Sequence, residues 1–245
     1  MVKLFAAAIG VLALSTSLAW GQCRQALALG LDVSGSVDTS EYRLQLDGLA
    51  NAMLHPDVRR ALLAMPSAPV SLLVYEWSGP NDQPLVLDWI AVESEADIAE
   101  MAAQLRKTQR RATTVTTAIG AAMVTGIGHL NRRSECWTRT LDISGDGKSN
   151  TGPNPDTISR SSLIDQITIN ALVIGAPPRF FGDTDTVEIS ELSAYFTAYV
   201  ITAPDGFVET ALGFSDFEAA MTRKLLRELQ GMIVSQLPQA PTATQ

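Results

Sequence analysis

Histidine is nearly missing from this chain: His55 and His129 are the two among 245 residues. His55 precedes Pro56 and His129 falls in the last turn of a predicted helix, so both read as surface or capping residues. No histidine pair, Ser/His/Asp relay or nucleophile elbow is present. Positive charge is also short. Lysine and arginine number 18 against 26 acidic residues, a net charge of −8. No basic stripe exists to neutralise phosphates, which excludes nucleic acid as a partner. No apolar run is long enough to span a bilayer, and no repeat or low-complexity block interrupts the sequence.

The first 21 residues carry Lys3, an apolar stretch from Leu4 to Leu14, and an Ala19-Trp20-Gly21 ending. They read as a secretory signal cleaved after Gly21. Gln22 stands before Cys23 where a lipoprotein signal needs a small residue, so the expected product is soluble, periplasmic or secreted. Without Lys3 the mature chain has 17 basic and 26 acidic residues, a formal charge of −9. Residues 22–235 are long enough for one sizeable domain, and 236–245 reads as a disordered tail. Cys23 and Cys136 are the two cysteines. In an exported protein such a pair is a disulfide candidate, the alternative being two free thiols. Each lies just upstream of a predicted strand, so parallel neighbouring strands would bring them to one sheet edge.

Strands are predicted over 25–31, 70–77, 83–92, 138–144, 167–174 and 207–211. Helices are predicted over 39–63 with a break at Pro56, over 94–107 capped by Ser94, and over 117–130, 156–166 and 215–234. Residues 192–201 read as helical or mixed. The turn Gly79-Pro80-Asn81-Asp82 joins its two flanking strands as a hairpin. Strands alternating with helices imply an α/β fold with a doubly wound, mostly parallel sheet and helices on both faces. Ligands of such sheets bind beyond the carboxyl ends of the strands, at the topological switch point.

Three stretches reach that edge. Asp32-Val33-Ser34-Gly35-Ser36 follows the first strand and offers one carboxylate and two hydroxyls, unless Ser36 is merely a helix N-cap. Ser144-Gly145-Asp146-Gly147 closes the fourth strand with a second carboxylate. Thr113-Thr114-Val115-Thr116-Thr117 lies ahead of the helix that begins Ala118-Ile119. Hard oxygen donors of this kind suit Mg²⁺, Mn²⁺ or Ca²⁺, with Mg²⁺ preferred. Asp142 sits inside the fourth strand on the face of Ser144. Buried there it needs a partner: an ion pair on the sheet flank, or a place one step from the cation, orienting its water or hydroxyls.

Together these segments resemble the von Willebrand factor type A domain, and the later part of the chain is similar to one bacterial secreted branch of that family. The resemblance covers roughly 25–228. It implies a metal-ion-dependent adhesion site with Asp32, Ser34, Ser36, Thr113 and Asp146 as ligands. It further implies a binding module whose partner is a protein offering a carboxylate to the cation, and no enzyme. Arg111-Ala112 stands where many relatives carry Gly-Gly. Alignment on Ala118-Ile119 selects Thr113, which we take, whereas alignment on Gly120 selects Thr117.

Other readings are weaker. Gly147-Lys148-Ser149 resembles the end of a phosphate-binding loop, but Asp142 occupies the position of its required glycine. A metal-dependent hydrolase, with the ion activating water, remains an alternative, as does a scaffold with a structural or vestigial ion. Asp57 and Glu41 read as solvated helix charges. Trp77, Trp89 and Trp137 read as core, and Tyr195 with Tyr199 as one packed helix face.

Overall fold

The computed structural model describes residues 23–175, 184–202 and 204–235. The predicted signal at 1–21 and tail at 236–245 lie outside them. Among the described residues no helix is long and apolar enough to cross a membrane.

β1 (Cys23–Asp32) and β2 (Val70–Trp77) are buried along their whole length. Each is largely apolar at its centre, 26–31 and 72–75, as strands covered on two faces require. Together with β3 (Leu85–Val92), β4 (Cys136–Gly145), β5 (Ile167–Ile174) and β6 (Val208–Ala211) they form one sheet in the order β3-β2-β1-β4-β5-β6. β2 and β3 pair antiparallel, as the turn at Gly79 foretold, and the remaining pairs are parallel.

One face is covered by α1 (Thr39–Leu54), α2 (Pro56–Leu62), α3 (Glu95–Lys107) and α7 (Phe217–Ser235), which pack on Leu27, Leu29, Leu31 and Leu172. The other is covered by α4 (Ile119–Leu130), α5 (Pro155–Ser159) and α6 (Thr184–Tyr199), packed on Ala28, Tyr75, Ile143 and Val173. β1 lies between β2, reached through α1 and α2, and β4, reached from the far side. The switch point is therefore the gap between the ends of β1 and β4.

Several local expectations are corrected. α1 is capped by Asp38, which accepts from Ser40 and Glu41 backbone amides while Glu41 reaches back in a capping box, so Ser36 is not the cap. Glu41 is thereby a capping group as well as a surface charge. The helix expected over 156–166 ends at Ser159 and a 3₁₀ turn follows at Ser162–Ile164. α6 is a full helix from Thr184, longer than the stretch expected over 192–201. Trp77 is in the core, but Trp137 is 45% exposed, because β5 pairs with β4 only from Arg139 onward.

Cys23 and Cys136 face each other in register as the first residues of β1 and β4, with Cα atoms 4.4 Å apart, and form a disulfide. It staples the ends of the sheet opposite the switch point. The bridge spans 113 residues. A loop of that size stabilises by roughly 4–5 kcal/mol in the chain-entropy account. Replacing both cysteines by serine should lower the melting temperature by roughly 10–20 °C; calorimetry showing no change would contradict this role.

Asp142 takes the first of its two expected places. Its carboxylate lies 2.9 Å from Lys224 Nζ, on α7, and the same ammonium donates to Glu228 Oε1 at 2.6 Å. Lys224 is fully buried. Asn170 on β5 donates to Glu228 Oε1 at 2.7 Å. One ammonium thus serves two buried acids and pins α7 to the sheet. Burial pushes Asp142 up from 3.8 to about 7, assisted by the negative charge of Glu228 and opposed by Lys224. Burial also works against the Lys224 charge, yet Asp142 and Glu228 outweigh it and its pKa is raised.

Because Asp142 binds its proton more tightly folded than unfolded, its contribution to stability is complete below about pH 4 and is lost as pH rises toward about 7. The facing charges are Lys224 and Glu228 of α7, with the Tyr75 hydroxyl near enough to sense Asp142. Asp142→Asn imitates the protonated acid. Its melting temperature relative to wild type should therefore improve between about pH 5 and pH 8; a pH-independent difference would refute the assignment. Lys224→Met leaves both acids without a cation and should cost about 3–5 kcal/mol at neutral pH in denaturant melts.

Candidate functional site

β1 delivers Asp32 as its last residue, fully buried. The chain turns at once: Asp32 Oδ1 accepts from the Ser34 amide at 2.8 Å, and the Val37 amide donates to the Ser34 carbonyl at 3.1 Å. Gln45 of α1 holds the turn from behind, its side-chain amide donating to the Asp32 carbonyl at 2.9 Å. In that turn the Ser34 and Ser36 hydroxyls lie 3.3 Å apart. Ser36 donates to Asp146 Oδ1 at 2.7 Å, joining the loop after β1 to the loop after β4 across 110 residues of sequence. The parallel register places both loops at the same sheet edge.

The third loop brings two threonine hydroxyls to the first loop, in different ways. Thr117 Oγ1 lies 3.4 Å from Ser34 Oγ, whereas Thr113 donates to the Val33 carbonyl at 3.0 Å. Asp32, Ser34, Ser36, Thr117 and Asp146 are thus brought together. Thr113 is engaged by the backbone beside them. Thr117 is fixed from the β4 loop, its amide donating to Asn150 Oδ1 at 3.0 Å and its carbonyl accepting from the Asn150 amide at 2.9 Å. A Cβ at Gly120 would run into the Pro153 carbonyl, so only glycine lets α4 approach this loop.

Arg111 ties the third loop to the sheet. Its guanidinium pairs with Asp82 at 2.7 Å and approaches Glu76 at 3.5 Å, and Glu76 accepts from Tyr42 at 2.6 Å. Burial pushes the Glu76 carboxyl up, while the bond from Tyr42 and the Arg111 charge pull it down. Asn150 and Arg111 were not singled out from the sequence as site residues. Each acts across loops distant in sequence, and no local pattern announces such a contact.

The electrostatics of the cluster are unbalanced. Asp32 Oδ2 is buried and has no hydrogen-bond partner. Burial, and then the negative charge of Asp146, raise its carboxyl from 3.8 to about 7 against the bonds from Ser34. Burial likewise raises Asp146, opposed by the Ser36 hydroxyl. Two acids close enough to repel, one with an orphaned oxygen, fit a positive charge between them. Among the described residues no group of three or more His, Cys, Asp or Glu side chains is placed to hold a metal. A cation here would rely on two carboxylates completed by hydroxyls.

The architecture matches known structures. Proximal thread matrix protein 1 from the mussel byssus, solved with a zinc-occupied adhesion-site motif, is similar at 16% identity with a TM-score of 0.58, over 85% of this chain and 46% of that one. A von Willebrand factor type A protein from Catenulispora acidiphila is 12% identical with a TM-score of 0.54, over 84% and 43%. The pilus adhesin SpaC from Lactobacillus rhamnosus GG is 10% identical with a TM-score of 0.56, over 84% and 31%. The chain spans less than half the length of each of these proteins. No curated protein matches it. A family profile described as "Protein of unknown function (DUF1194)" matches residues 22–233. The chain belongs to the DUF1194 family and carries the von Willebrand factor type A fold.

Proposed function

We propose that this protein is an exported binding module that captures a protein partner through a divalent cation, held by Asp32, Ser34, Ser36, Thr117 and Asp146. The observation that carries the reading is the buried, unpartnered Asp32 Oδ2 beside Asp146, at the point where three loops converge. Uncompensated buried charge of this kind is costly, and a cation removes the cost. Thr117 replaces Thr113 in the set on the strength of its 3.4 Å approach to Ser34.

The donors are carboxylate and hydroxyl oxygens, which favour Mg²⁺ or Mn²⁺, with Ca²⁺ as a larger alternative. Bound there, the cation supplies an electrophilic point that accepts a carboxylate from the partner. The protein's own residues hold it and keep their formal charge to two, so it stays attractive to a further anion. Asp32 and Asp146 serve as ligands, and neither histidine belongs to the cluster, which favours binding over turnover. The pilus adhesin of the same fold is consistent with such use, and a disulfide fits an oxidising compartment.

The test is capture from envelope extract or culture fluid by the immobilised chain. A partner should be retained in Mg²⁺, released by EDTA, recovered on Mg²⁺ addition, and lost with Asp146→Ala. Retention that ignores EDTA and survives Asp146→Ala would reject the proposal. Calorimetric titration of the variants separates the threonines. Thr117→Val should weaken Mg²⁺ or Mn²⁺ binding at least about tenfold, a loss seen even for groups one step removed from a metal. Thr113→Val should weaken it less, and the reverse order would restore Thr113 to the ligand set.

A further inference from the structure

Beside this edge a groove of about 1080 Å³ runs between the start of α1 and the end of α3. Arg43, Arg106, Lys107 and Arg110 line it, against the single acid Asp47, in a chain whose net charge is −8. Part of this positive charge is structural. Arg43 pairs with Asp47 at 3.0 Å and donates to the carbonyls of Leu105 and Thr108, closing the end of α3. Arg106 donates to Asn51 at 2.6 Å. Asp38 and Glu41, at the start of α1, are occupied with each other's backbone amides in the capping box.

Two cations are left over. Lys107 is exposed on the last turn of α3. Arg110 lies past the helix end, with its guanidinium carbon 5.8 Å from the centre of the Tyr42 ring. Its Nη1 is shielded from water and has no acceptor. A donor so placed is costly until an acceptor arrives. The surface between the cations is largely apolar, with Leu44 43% exposed and Tyr42 nearly buried beneath Arg110.

We infer that this groove is a second docking site, for an acidic peptide segment with apolar side chains between its carboxylates. Charge complementarity selects the acid: carboxylates meet the exposed Lys107 and the half-buried guanidinium of Arg110. The length of the groove and its apolar floor select a segment over a small inorganic anion. The groove adjoins the candidate cation site, since Thr39 follows Ser36 by three residues and Arg110 precedes Thr113 by three. It contains none of the proposed metal ligands, so its function does not depend on a cation.

The test uses the full chain in EDTA and a fluorescein-labelled peptide of alternating glutamate and leucine, read by anisotropy. Saturable binding is expected, weakening as NaCl rises from about 50 to about 300 mM because the contacts are partly solvent-exposed. Lys107→Glu with Arg110→Glu should weaken it at least tenfold at unchanged melting temperature. If that variant folds poorly, Lys107→Gln with Arg110→Gln should still weaken it measurably. Equal binding by the variants, or no saturable binding, would overturn the inference. Displacement of the peptide by equimolar inorganic phosphate would overturn the peptide assignment. Asp146→Ala should leave this binding unchanged, which separates failure here from failure of the cation site.

Discussion

The parallel pairing of β1 with both β2 and β4 is the constraint from which the rest follows. Because those strands run the same way, their carboxyl ends emerge together. The chain leaves β1 in one direction and arrives at β4 from the other, so no helix crosses the gap between them. Into that gap β1 carries a carboxylate with an unpartnered oxygen, and β4 carries another. The fold accepts a local electrostatic penalty where it leaves an opening. On the opposite flank of β4 it compensates buried charge, as Lys224 does for Asp142 and Glu228.

The contrast between these two acid pairs is informative. Both Asp32 and Asp142 are buried, and burial raises the pKa of each. Asp142 meets an ammonium from α7, so its charge is internal to the structure. Asp32 meets hydroxyls, an amide and another acid, so its compensation has to come from outside the chain. Burial alone does not separate a structural carboxylate from a binding one; the sign of the nearest charge does.

Much of this was legible in the sequence, for physical reasons. The apolar run before Asp32 and the strand closing in Ser144-Gly145-Asp146 placed both acids at a sheet edge, and the fold class followed from the alternation of strands with helices. Cys23 and Cys136, each at the head of such a run, foretold a bridge once the strands were taken as neighbours. The alternation of β4 put Asp142 on the face of Ser144, but nothing local named Lys224, 82 residues onward. The choice between Thr113 and Thr117 was open for a similar reason. Residues 108–118 have no regular element, so spacing alone could not tell which hydroxyl the loop turns inward. Arg111 and Asn150 hold that stretch by contacts across loops. Trp137 was misjudged because hydrophobicity does not reveal where a neighbouring strand begins to pair.

The central claim is that a divalent ion completes the Asp32 and Asp146 cluster. Anomalous diffraction from crystals of the chain soaked in Mn²⁺ tests it most directly. The account predicts one strong peak among the side-chain oxygens of Asp32, Ser34, Ser36, Thr117 and Asp146, absent in crystals of Asp32→Asn. Strong scattering elsewhere with none at this cluster would contradict it.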